Sequence, residues 1–160
     1  MNVDRLNKLA NLLDTVPPEK FDLNYWGLVS KVARVPNTLD ISKDECGTVA
    51  CACGWACTIP EFREAGLYLG RTAMLSYSSE YVLKYTTTSL TVPVGKVTYQ
   101  GIPAAARFFA ISEDQAEDLF YSSSYFAVNN EDEDAAAISP AMVAARIRKL
   151  IAVEGPDHAD

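Results

Sequence analysis

The chain has 160 residues, 49% of them hydrophobic and 22% charged, which is enough apolar material for one folded domain and rules out disorder throughout. Acids outnumber bases by 21 to 14, for a net charge of −7. That balance argues against a protein whose main work is gripping nucleic acid, because phosphate binding is driven by Lys and Arg displacing counterions.

Val3, Leu6, Leu9, Ala10 and Leu13 recur at helical spacing and predict a first helix to Asp14, ended by Pro17 and Pro18. Asp22 is placed to cap a second helix, which carries Tyr25, Leu28, Val29 and Val32 on one face and stops before Pro36. The polar run from Asn37 to Glu45 reads as a loop. From Thr48 to Thr58 the character changes. Val49, Ala52, Cys53, Ala56 and Cys57 make one apolar stripe, while Ala50, Cys51, Gly54 and Trp55 cover the other side. A helix that is apolar all round leaves no face for water, so this is expected to be a buried central helix. Thr48 would cap it and Ile59-Pro60 would close it.

A short helix from Pro60 should end at Gly66. Between Ser76 and Gln100 the chain is rich in Ser, Thr, Tyr and Val. Tyr81, Leu83 and Tyr85 alternate with Val82, Lys84 and Thr86, and further runs follow at Leu90 to Val94 and Val97 to Tyr99. Period two and β-branched content predict a small antiparallel sheet, with Pro93 on an edge strand or at a bulge.

Gly101-Ile102-Pro103 opens a helix carrying Ala105, Phe108 and Phe109. Ser112 and Gln115 form a capping box for the next, which carries Ala116, Leu119 and Phe120. Ser122 to Asp134 reads as a surface loop. Ser139-Pro140 starts the last helix, with Val143, Ile147, Leu150 and Ile151 on its buried face, and Gly155 ends it. The cluster Arg146, Arg148 and Lys149 reads as a solvated face near its negative end. The expected fold is mainly α (α+β): a helical bundle around a buried central helix, with a small antiparallel β-sheet insertion. It is read as one domain over residues 1–160 with a mobile tail after Gly155.

The four cysteines, Cys46, Cys51, Cys53 and Cys57, are spaced C-x4-C-x-C-x3-C, and the sole histidine is His158. Zinc sites prefer paired knuckles, and on a helix Cys51 and Cys53 would point roughly 200° apart, so no metal site is expected. Cys53 and Cys57, one helical turn apart, are about 5–6 Å from each other at Cβ against the roughly 3.8 Å a disulfide prefers. Cys46 or Cys51 at a helix start could have a lowered pKa, but no histidine in the body of the chain can act as its base. Phosphate-loop, dinucleotide, nucleophile-elbow and zinc-protease motifs are missing, so the reading leans away from an enzyme and expects no cofactor. The acids Glu113, Asp114, Glu117 and Asp118 read as the start and the wet face of a helix.

Anion or nucleotide binding has more to support it. Gly47-Thr48 precedes the central helix, whose first amides would be open to a phosphate, and Tyr25, Trp26, Trp55 and Arg71 could stack on a base or pair with phosphate. The many further tyrosines, Tyr68, Tyr77, Tyr81, Tyr85, Tyr99, Tyr121 and Tyr125, suggest a pocket or a subunit interface.

The run Cys46-Gly47-Thr48-Val49-Ala50-Cys51-Ala52-Cys53-Gly54-Trp55-Ala56 resembles the C-G-T-x-x-C-x-x-G-W-A signature of a family of small uncharacterised proteins encoded by phages and prophages. Gly101 to Phe120 is similar to that family's second block, an Ala-Phe-Phe helix followed by a capped helix ending in Leu-Phe. Cys53 departs from the pattern, standing where another small or apolar residue is common. The resemblance implies a phage protein acting in the host cytoplasm by binding. The expected function is non-enzymatic sequestration of a small nucleotide-type immune signal, with Gly47, Thr48, Tyr25, Trp26, Trp55 and Arg71 as ligand-binding residues, by a homo-oligomer. The alternatives are direct binding of a host defence protein through the acidic surface from Ser112 to Asp134, and a small cysteine-dependent enzyme. No nucleic-acid or membrane partner is expected, since no stretch reaches the roughly 20 apolar residues a spanning helix needs.

Overall fold

Leucines one turn apart and a side-chain cap make helix α1 (Val3–Leu13): Asn2 accepts from the Arg5 amide, and Leu6, Leu9, Ala10 and Leu13 are buried. Their main partner is the last helix of the chain, α7 (Pro140–Glu154), which buries Val143, Ala144 and Ile147. Ser139 caps α7, accepting from the Met142 amide. The two helices are also tied at the surface, where the Arg148 guanidinium donates to Asp14 and to Asn11. This computed structural model describes residues 1–24, 28–29, 38–39, 49–71, 86–94, 97–126 and 138–155.

After α1 a 3-10 turn (Pro18–Lys20) leads to Phe21. The elements that follow are β1 (Leu28–Val29), β2 (Thr38–Leu39), α2 (Ala52–Ala56), α3 (Pro60–Glu64) and β3 (Tyr68–Arg71). Then come β4 (Thr86–Val94), β5 (Val97–Gln100), α4 (Gly101–Phe109), α5 (Glu113–Phe120) and α6 (Ser123–Phe126), before α7. The fold is mainly helical with a small antiparallel sheet, as the sequence predicts. No helix among the described residues is long and apolar enough to cross a membrane.

The sheet is organised around β4. On one edge β3 pairs with it from Tyr68↔Thr91 to Arg71↔Thr88, and β2 lies beyond β3. The other edge is shared by β5, from Thr91↔Gln100 to Val94↔Val97, and by β1 at Leu28↔Thr87 and Val29↔Thr86. Pro93 sits past the end of β3, so no amide is missed there. The core beside the sheet is aromatic. Phe62, Phe108, Phe109 and Phe120 meet at ring-centroid distances of 5.0 to 6.1 Å, mostly edge to face. The left-handed Ala110 (φ 52°) ends α4, and Ser112 with Gln115 then closes the expected capping box of α5.

Several expectations are corrected. At the described residues the second helix predicted from Asp22 is not formed: Asp22 accepts from the Asn24 amide in a tight turn, and Leu28 and Val29 belong to a strand on β4, while the rest of the predicted span lies outside the described residues. The central helix is shorter than Thr48 to Thr58. Val49 and Ala50 are extended, because Ala50 bonds backbone to backbone with the segment around Phe21, and helix starts only after Cys51. β3 arises where no strand is predicted, and Ser123 to Phe126 form a helical turn inside the predicted loop. The expected strand at Tyr81 to Tyr85, the polar loop at Asn37 to Glu45 except Thr38 and Leu39, and the tail after Gly155 lie outside the described residues.

Candidate ligand-binding site

Two distant stretches of sequence meet at one joint. Phe21 pairs with Ala50 in a parallel bridge, the Ala50 amide donates to the Lys20 carbonyl and the Asp22 amide donates to the Ala50 carbonyl, each at 3.2 Å. The half-buried Trp55 indole Nε1 donates to the same Lys20 carbonyl at 3.2 Å. Trp55 is therefore fixed at the joint by a polar contact, with part of its ring in water. Asn24, just beyond, accepts from the Ser122 hydroxyl at 2.9 Å, which ties the joint to the end of α5.

The joint brackets most of the residues singled out from the sequence. Tyr25 and Trp26 follow Asn24 directly and precede Leu28, which pairs with Thr87. Arg71 pairs with Thr88, the neighbouring rung on the opposite edge of β4. Gly47 and Thr48 immediately precede Val49. Tyr25, Trp26, Gly47 and Thr48 themselves lie outside the described residues. Of the six, Trp55 is described at the joint, and Arg71 is placed by its backbone in β3.

The expected anion seat at the start of the central helix changes in character. The cap is Cys51, which makes no side-chain capping bond, not Thr48. The first turn, Ala52, Cys53 and Gly54, is buried. A five-residue helix with a buried first turn presents no open row of amides to an anion.

Cys51, Cys53 and Cys57 are free and buried. Burial pushes the Cys51 thiol up to about 11 and raises Cys53 and Cys57 well above the ordinary thiol range. A nucleophile needs the opposite shift, towards thiolate. The Cys57 thiol donates to the Cys53 carbonyl at 3.3 Å, as a packed core group does. Among the described residues no three of His, Cys, Asp and Glu gather to hold a metal ion; Cys46 and His158 lie outside them.

A feature the sequence reading missed lies on the far side of α5. Arg146 and Arg148, two positions apart on α7, point to opposite sides of the helix. Arg148 reaches α1, while Arg146 turns inward and donates to the Asp118 and Ser124 carbonyls at 3.0 Å each. Its guanidinium lies 3.7 Å from the centre of the Tyr125 ring, and the Tyr125 hydroxyl donates to the Leu119 carbonyl. Burial pushes the Tyr125 phenol up to about 12. Arg146 is thus a clamp across α5, α6 and α7, not a solvated charge. Beside it runs an open groove of about 500 Å³ whose lining includes Gln115, Asp118, Leu119, Lys149, Leu150 and Val153. The two-residue offset between the arginines was the signal that could have separated their roles.

No family model, curated protein or solved structure matches the chain.

Proposed function

We propose that this chain acts by binding and not by catalysis, as a phage-type protein of the host cytoplasm that sequesters a small nucleotide-like signal of host immunity. The observation that carries the reading is the Phe21–Ala50 joint. It brings the chain ends that lead to Tyr25-Trp26 and to Gly47-Thr48 together with Trp55, whose indole is held at its Nε1 edge and lies half-buried against the core. Rings offer stacking faces to any base, Arg71 offers charge to a phosphate, and neither needs a helix N-terminus. The phage attribution rests on the signature from Cys46 to Ala56. The raised thiol pKa of Cys51 supports binding over cysteine chemistry.

Calorimetry of the purified chain against cyclic mono- and dinucleotides and ADP-ribose derivatives tests the proposal. At least one member should bind, and Trp55→Ala should weaken it by about tenfold or more, the scale of one lost base stack. Silence across the whole panel overturns the reading.

A second reading is favoured by one observation. Glu113, Asp114, Glu117 and Asp118 are all exposed on α5, and among the described residues none is paired with a cation. Such a face suits a basic site on a host defence protein. Capture of that partner from host lysate should then fall as salt is raised.

A further inference from the structure

We draw no further inference here: the strongest candidate, the open groove between α5 and α7, carries charges of both signs and is already bridged by the bond from Gln115 to Glu154, and nothing in the structure shows what covers it.

Discussion

At the scale of single residues, the pair Asp14 and Arg148 shows how a surface contact depends on pH. The hydrogen bond from Arg148 holds the Asp14 carboxyl below its ordinary range, and the Arg148 guanidinium is raised in turn. A carboxylate with a depressed folded-state pKa stabilises the fold above its unfolded pKa, near 3.9, and loses that contribution as pH falls through the folded value. Arg148→Met keeps much of the aliphatic stem and removes the charge. Its destabilisation relative to the parent should be measurable in denaturant titrations at neutral pH and low salt. The difference should shrink as the pH drops below the usual aspartate range, and shrink also in high salt. A difference that stays constant into strong acid would assign the effect to packing of the stem on α1. Arg146 makes a useful contrast. Its guanidinium is spent on two carbonyls and a ring, none of which titrates in the same range, so its contribution should not follow that acid limb.

At the scale of elements, α2 is the clearest case of tertiary structure overruling local pattern. The run from Thr48 to Thr58 is apolar on every side, and its burial was legible from that alone. Its length was not, because the backbone of Ala50 is committed to Lys20 and Asp22, partners some 30 positions earlier that no local window contains. Leu28 and Val29 fail for the same reason: two apolar residues fit a helical face or a strand equally well, and pairing with Thr86 and Thr87 decides. β3 contains Gly70 and Leu69, with no β-branched residue, so its strand state comes from β4 and not from propensity. By contrast α1, α5 and α7 carry their buried faces locally and were readable, α5 and α7 also from their starts at Ser112 and Ser139, whereas the Asn2 cap of α1 was not read. Of the candidate site, Trp55 was legible as an aromatic near a helix, but its bond to Lys20 was not. Burial of α2 also makes a prediction about reactivity. In a Cys46→Ser background, native protein should leave Cys51, Cys53 and Cys57 untouched by an aromatic disulfide reagent at mildly alkaline pH, and denatured protein should react at all three. Rapid labelling of even one in the native state would mean that α2 opens readily, and would reopen the case for thiol chemistry.

Across the whole molecule, α1 is the element that touches both halves of the problem. It buries Leu6, Leu9 and Leu13 and packs mainly on α7, and it also contacts α2 and α4, next to the joint and the aromatic core. The Arg5 guanidinium extends this link, donating to the Phe108 carbonyl and lying 4.1 Å from the centre of its ring. If α1 couples these parts, damage on the α7 side must be felt at the joint. Ile147 is fully buried on α7, and truncating it to alanine should cost about 2–5 kcal/mol, a large share of the roughly 5–15 kcal/mol that stabilises an ordinary domain. Tryptophan fluorescence reports on Trp55 and Trp26, while far-ultraviolet dichroism reports mainly on the long helices. In Ile147→Ala both signals should move to the same lower midpoint, as a single cooperative unit requires. Lys8→Ala, on the exposed face of α1, should shift neither by more than about 0.5 kcal/mol. Should Ile147→Ala lower the dichroism midpoint and leave the fluorescence midpoint in place, the joint would fold independently of the α1–α7 pair. A ligand held at the joint could not then stabilise the rest of the molecule, so the same two probes, read with and without a bound nucleotide, show how far its binding energy reaches.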